Sequence, residues 1–374
     1  MRRTLLALLI FVQLPLAAAT RTRPVHAPPV IAPAAVVTAA HQAAEAALNA
    51  GVPAVQIVVS HGGQIIYSEA FGVTDTKSAT PATSRSPMQI GSVTKQFTAA
   101  AILRLAEQGA LSLDDRIENY VPEFDPRGRT ITLRNLLNHT SGIARDWYPP
   151  DVPADTTAPV TREHVIKNLN AKPFEFTPGK GWSYSNAGYM LLGYAIESIT
   201  GRSFADFIHG EFAVPLGLID TGVCGTHNLP LPAGYAVFTT SNGQQQEAPM
   251  PAWHRSWLWS SGSLCSTAFD LARWSHLLAT GRVLQPDSYA TMTTRVPPST
   301  GAPIPYAMGL IPQKILGRPA VWHDGAIYGY LTYLIYFPGE DVAIAVNTNA
   351  FPGPAAGNPE VIALAVAEAA LNTQ

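Results

Sequence analysis

Residues 86–103 read SPMQIGSVTKQFTAAAIL: an extended run, a turn at Gly91, then an apolar helix carrying Ser92 and Lys95 on its first turn. On a helix, positions i and i+3 share a face with Cβ atoms roughly 5–6 Å apart, so a hydroxyl and an amine stand close enough to exchange a proton. Lys95 is the one formal charge in this stretch, among Val93, Phe97, Ala99 and Ala101. Burial disfavours the ammonium, and so does the positive end of the helix dipole. Bringing a lysine from about 10.4 to near 7 takes about 4–5 kcal/mol, within reach of burial. The alternative is that Ser92 caps the helix and Lys95 snorkels to water. Of the lysines (Lys77, Lys95, Lys167, Lys172, Lys180, Lys314), only Lys95 follows a serine at this spacing.

Working outward, the chain has 374 residues, 47% hydrophobic and 13% charged, with formal net charge −2. That balance gives no electrostatic case for nucleic acid. The histidines are too far apart for H-E-x-x-H spacing, and no C-x-x-C, Walker loop or G-x-G-x-x-G occurs, so a mechanism without metal or cofactor is expected. Residues 1–19, MRRTLLALLIFVQLPLAAA, have the three parts of a secretory signal peptide, with cleavage expected after Ala19. Residues 20–35, rich in proline with little to bury, are expected to be a disordered linker. The mature chain is expected to be periplasmic or secreted, with no stable membrane insertion. Export would permit a bridge between Cys224 and Cys265, and two buried thiols fit equally well.

A helix is expected over 36–50, then a hairpin turning at His61-Gly62-Gly63. Helical patterns dominate residues 116–208, including an apolar helix over 188–199 closed by Gly201, and a further helix spans 266–278. The last ninety or so residues turn β-rich at 320–325, 328–337 and 342–347, before a closing helix over 360–371. Strands at both ends with helices between them imply an α/β (α+β) fold. Its antiparallel sheet is assembled from N- and C-terminal strands (about 36–80 and 265–374) around a mainly helical insertion (about 85–260) within one domain, 36–374.

Two more motifs join Ser92-Val93-Thr94-Lys95. Tyr184-Ser185-Asn186 precedes a helix, where a loop can aim a phenol and an amide at one point. His323-Asp324-Gly325-Ala326 ends a strand, and its glycine lets a substrate backbone approach the strand edge. In this order and context, the sequence resembles the serine β-lactamase and penicillin-binding protein superfamily, in its class C β-lactamase, DD-peptidase and esterase branch. The resemblance runs from about residue 40 to the C-terminus and includes STAFDLARW at 266–274.

The resemblance implies Ser92 as an acylated nucleophile, with Lys95 and Tyr184 sharing the general-base duty. Asn186 would hold the substrate amide, and the N–H groups of Ser92 and Ala326 would form the oxyanion hole. The third motif departs from the lysine-threonine-glycine common in that branch: His323 stands for the cation and Asp324 for the hydroxyl. A site so altered holds a substrate carboxylate poorly and favours neutral esters, amides or substrates bearing an amine. The expected activity is therefore an acyl-enzyme serine hydrolase acting on a small-molecule or peptide substrate: esters, D-amino-acid peptides and amides, or β-lactams. The alternatives are a DD-carboxypeptidase or penicillin-binding protein that deacylates slowly, or a non-catalytic relative that binds cell-wall peptides or proteins. A lipase-like hydrolase lacks support, since no G-x-S-x-G occurs. Trp253, Trp257 and Trp259 either wall a substrate cleft or pack in the core, and His139-Thr140-Ser141-Gly142 reads as a structural loop.

Overall fold

The computed structural model describes residues 32–149 and 155–372; the expected leader, and the linker as far as residue 31, lie outside the described residues. Helix α1 (Ala34–Asn49) leads into β1 (Ala54–His61) and β2 (Gln64–Asp75), joined at Gly62-Gly63. Two short strands follow, β3 (Thr80–Pro81) and β4 (Met88–Gln89), then α2 (Thr94–Glu107). The middle of the chain carries α3 (Leu133–Leu137), α4 (Arg162–Ala171), α5 (Asn186–Thr200), α6 (Phe204–Ile208) and α7 (Val214–Leu216). After β5 (Gly222–Val223), the strands β6 (Gly234–Thr239) and β7 (Gln245–Met250) form a hairpin that the sequence pattern did not announce. Then come β8 (Leu264–Ser266), α8 (Ala268–Ala279), α9 (Pro286–Thr293) and β9 (Ile311–Ile315). The chain closes with β10 (Arg318–Ile327), β11 (Tyr330–Phe337), β12 (Val342–Thr348) and α10 (Pro359–Asn372).

Seven strands make one sheet in the order β3-β2-β1-β12-β11-β10-β9, its pairs antiparallel. The first and last parts of the chain meet at β1 and β12, where Val55 pairs with Thr348 and His61 with Val342. Side chains on a strand alternate between faces. Val55, Ile57 and Val59 of β1, with Ile344 and Val346 of β12, face α1 and α10. Ala54, Val58, Ala343 and Ala345 face the other way, into a core shared with α2 and α8 through Phe97 and Trp274. Those two rings stack at 3.9 Å between centroids.

Two local devices place α2 against this sheet. Gln56, buried in β1, donates from Nε2 to the carbonyls of Thr83 and Ser86 (2.6 Å each), while its Oε1 accepts from Ala268 N–H. It thus ties the approach to Ser92 to the sheet. Gly325 in β10 does the rest: a Cβ there would lie 2.0 Å from Ile90 O and 3.3 Å from Ser92 N. The space of the missing side chain belongs to the turn before α2, where the sequence reading assigned it to a substrate backbone.

Candidate active site

Ser92 sits in the 3-10 turn Gly91–Val93 that feeds α2, and Lys95 is the second residue of that helix. Every residue of α2 from Thr94 to Leu103 is buried, and Lys95 itself is 0% exposed. Lys95 Nζ lies 3.1 Å from Ser92 Oγ, 2.8 Å from Asn186 Oδ1 and 2.7 Å from the Ser261 carbonyl. Two of these three partners only accept. A neutral amine has two N–H bonds and one lone pair, so donation to Asn186 and Ser261 leaves the lone pair for the Ser92 hydroxyl. Burial, the largest cause, holds the Lys95 pKa well below its ordinary value; the Asp146 carboxylate opposes this and Arg145 adds to it.

Tyr184 and Asn186 reach the same point from the start of α5. Ser185, between them, is the cap: its Oγ accepts from Gly188 N–H at 2.9 Å and donates to Ala144 O at 2.8 Å. The sequence reading left open whether Asn186 was that cap; instead it is the first helical residue, with its amide free to turn inward. Its Oδ1 takes the Lys95 amine, and its Nδ2 donates to Asp146 Oδ1 at 2.8 Å. The Tyr184 ring lies 4.7 Å below Lys95 Nζ. Burial pushes the phenol above its ordinary range and the neighbouring Ser92 hydroxyl pulls it partly back, so Tyr184 is protonated at neutral pH.

The His139 loop also belongs to this construction. His139 is buried with φ +62°, and its Nδ1 accepts from Ser185 N–H at 3.1 Å, so in the neutral ring the proton is on Nε2. Its ring lies against Tyr184, Tyr189 and Tyr306 at 4.4, 5.1 and 4.5 Å. Burial, with Lys95 and His323 nearby, keeps it neutral.

The third motif splits by strand alternation. His323 is 1% exposed; Nδ1 donates to the Asp324 carbonyl at 2.6 Å, which leaves Nε2 to accept from Tyr306 O–H at 2.8 Å. Burial is the main cause that pushes its pKa down to about 4. Both nitrogens are engaged inside the protein, behind Tyr184. The Asp324 side chain is 63% exposed, with its carboxylate 3.7 Å from His323 Nδ1. Ala326 lies beside the nucleophile turn, since a Cβ on Gly91 would come within 2.8 Å of Ala326 N.

A cleft of about 360 Å³ opens over Ser92. Its polar side holds Asn186, Arg145, Asp146 and the Ser261-Gly262 segment; its apolar side includes Tyr148, Trp253, Tyr328 and Phe351. Of the three tryptophans, Trp253 lines the cleft. Trp257 is 6% exposed with its N–H on Ala158 O, and Trp259 packs on Phe204. Sequence reasoning did not single out Arg145, Asp146, Tyr148, Tyr306, Tyr328 or Phe351. The pair Arg145-Asp146, just past the His139 loop, was the available signal; Tyr306 offered none. Among the described residues, no group of three or more His, Cys, Asp or Glu converges as a metal site.

Residues 40–367 match the Beta-lactamase family. The chain belongs to it. Members of this family are serine hydrolases. Similar relatives include penicillin-binding protein 4* of Bacillus subtilis, 28% identical over 298 residues that cover 75% of this chain and 64% of that protein. The D-aminopeptidase of Brucella anthropi is 27% identical over 283 residues, 73% of this chain and 52% of that one. Among solved structures, a D-stereospecific amidohydrolase from Streptomyces sp. superposes with TM-score 0.71 at 28% identity, covering 90% of this chain and 99% of that one. The chain thus spans about two thirds or less of the length of these curated relatives. The fold also brings the two cysteines together: Cys224, just past β5, and Cys265 of β8 form a disulfide, which the sequence left open. Among the described residues, no helix is long and apolar enough to cross a membrane.

Proposed function

We propose that the chain is an acyl-enzyme serine hydrolase in which neutral Lys95 is the base for Ser92. The observation that carries this is the fully buried Lys95 amine, 2.8 and 2.7 Å from two carbonyl acceptors and 3.1 Å from Ser92 Oγ, an arrangement that in the neutral amine leaves the lone pair for the Ser92 hydroxyl. Ser92 Oγ attacks the substrate carbonyl as its proton passes to Lys95 Nζ. The N–H groups of Ser92 and Ala326 receive the oxyanion, and each such donor supplies about 3–4 kcal/mol. Tyr184, a phenol at neutral pH, hands its proton to the leaving amine or alkoxide and regains one from Lys95. Water then repeats the sequence in reverse and releases the acid.

Charge around the cleft favours substrates that carry an amine. With the His323 pKa held at about 4 by burial and Lys95 taken as the neutral base proposed above, the lining charges Asp146 and Arg145 offset each other as an ion pair at 3.6 Å. Asp324, beside the third motif but off the cleft lining, leaves the site at −1. Asp146 is 20% exposed; its Oδ1 accepts from Asn186 and its Oδ2 lies 3.6 Å from Arg145 Nε, so a substrate ammonium would share this carboxylate with that guanidinium. D-Amino-acid amides or short peptides with a free amine fit best, in keeping with the amidohydrolase and aminopeptidase among its relatives. A second reading rests on Arg145, whose guanidinium is 64% exposed in the same cleft: it would hold a carboxylate, as in penicillins or peptide C-termini. The leader expected at 1–19 and the Cys224–Cys265 bridge are in keeping with export to an oxidising compartment.

The experiment is intact-mass analysis after brief exposure to D-phenylalanine amide, a nitrophenyl ester and a fluorescent penicillin, alongside Ser92→Ala. The expected result is an adduct on Ser92 and none on Ser92→Ala. No adduct and no turnover in either protein would instead support a non-catalytic binding relative.

A further inference from the structure

The apolar side of the cleft is a continuous aromatic wall drawn from four separate chain positions. Tyr148 meets Trp253 edge-on at 5.9 Å, Trp253 meets Tyr328 at 5.9 Å, and Tyr328 stacks on Phe351 at 6.1 Å and 29°. Tyr328 is 38% exposed. Of the large apolar side chains left exposed among the described residues, it is the one that lines this cleft. An aromatic face left open in a concave site is a place for a ligand group rather than core.

The wall is fixed in place by backbone bonds. Gly329 N–H donates to Phe351 O at 2.7 Å, and Phe351 N–H donates to Tyr235 O at 2.8 Å, which ties the β10–β11 turn to β6. Gly329, at φ +90°, lies so close to Gly234 that a Cβ on it would fall 2.8 Å from the Gly234 Cα. A surface held this way loses little freedom when a ring lies on it, so contact area converts well into affinity. Tyr328 is also two residues beyond Ala326, whose N–H is assigned to the oxyanion. Ser92, Ala326, Tyr328 and Phe351 line the same cleft, so a group on the wall shares that cleft with an acyl group on Ser92.

We infer that this wall is the subsite for an aromatic or bulky apolar side chain on the acyl half of the substrate, and that Tyr328 and Phe351 set the preference. The inference rests on the acyl-enzyme reading and sharpens its substrate class to amides or esters of aromatic acyl groups.

The test holds the leaving group constant: p-nitroanilides of glycine, and of alanine, leucine and phenylalanine in both hands, with the full-length protein. Acylation of Ser92 by a small fluorophosphonate is followed in parallel. The expected kcat/KM ratio of phenylalanine to alanine is at least tenfold in the better hand. It should fall to threefold or less in Tyr328→Ala and in Phe351→Ala, and be retained in Tyr328→Phe. Circular dichroism checks the fold of each variant. An arm that needs no variant compares benzylboronic with methylboronic acid as inhibitors, with at least tenfold tighter binding expected for the aryl compound. Fluorophosphonate labelling together with a ratio near one, or equal boronate affinities, overturns the subsite and leaves the nucleophile intact. Absence of labelling overturns the acyl-enzyme reading itself.

Discussion

Gly325→Ala tests how the nucleophile turn is seated on β10. The added Cβ would lie 2.0 Å from the carbonyl oxygen of Ile90, 2.9 Å from its carbonyl carbon and 3.3 Å from Ser92 N. These are backbone atoms, so no side chain can swing away. A carbon meets a carbonyl oxygen comfortably at about 3.3 Å, so β10 and the turn must part by about 1 Å. That motion moves Ala326 N away from Ser92 N, the two groups assigned to the oxyanion. Loss of one such donor costs about 10²–10³ in kcat, and a misplacement of about 1 Å can cost about 10² on its own. The expectation is therefore a fall of at least about 100-fold in kcat on a nitrophenyl ester, with overpacking costing about 1–3 kcal/mol of stability. Gly91→Ala attacks the same seam from the other side, its Cβ 2.8 Å from Ala326 N at φ +47°. Gly339→Ala is the control, since nothing lies within 4 Å of its added carbon. The assay is kcat on the folded fraction, with thermal melts of all three variants. A folded Gly325→Ala protein with native kcat would refute the reasoning, because no arrangement of this seam leaves room for the methyl without moving an oxyanion donor.

The lysine's protonation sets the pH profile. A base with its pKa lowered by burial is active above that lowered value and loses activity in a one-proton step as pH falls through it. So kcat/KM at pH 7 should stand far above the roughly thousandfold reduction that an ordinary lysine, near 10.4, would impose; a rise to full activity only near pH 10 would sink the neutral-lysine base. The sign for stability is the same: the unfolded chain binds the proton that the folded one refuses, so stability rises with pH from the lowered pKa up to about 10.4, as denaturant midpoints in that window would show. Asp146→Asn should lower kcat/KM about 10–100-fold for a free-amine amide and much less for its N-acetylated form, at about 1.4 kcal/mol per tenfold; equal losses on both would remove Asp146 from amine recognition. Cys224→Ser with Cys265→Ser opens a link across 41 residues and should cost about 4 kcal/mol by loop entropy, read as a lowered guanidinium midpoint; an unchanged midpoint contradicts it.

Much of the sheet was legible because its strands are short β-branched and aromatic runs between glycine turns. The alternation of Val55, Ile57 and Val59 against Ala54 and Val58 is a period of two written in the residues. The β6–β7 hairpin was not legible: Gln245–Met250 is polar, largely exposed and contains Pro249, so its pairing with Gly234–Thr239 leaves no hydrophobic trace. The same physics divides the site. Ser92, Lys95, Tyr184 and Asn186 could be found because each pair is set by spacing on one helix start. Tyr306 and Phe351 could not, because each reaches the site through tertiary packing from a loop or turn that no local periodicity marks.

The neutral surroundings of Lys95 follow from what stands at position 323. A lysine there, as in the lysine-threonine-glycine form of the motif, would set a second cation behind Tyr184 and lower the proton affinity of Lys95 through repulsion. His323 does not, because Tyr306 and the Asp324 carbonyl occupy both its nitrogens and burial keeps the ring uncharged. The depression of Lys95 then falls mainly to desolvation, while Asp146 and Asp324 pull the other way. A substrate ammonium seated at Asp146 would neutralise the carboxylate with the larger pull of the two and so lower the lysine's proton affinity further. Binding of the favoured substrate would thereby prime its own base. The consequence is measurable: the acid limb of kcat, which reports the substrate complex, should lie at lower pH than that of kcat/KM for a free-amine substrate, and the two should coincide for the N-acetylated one. Coincident limbs on both substrates would break the link between Asp146 and the base.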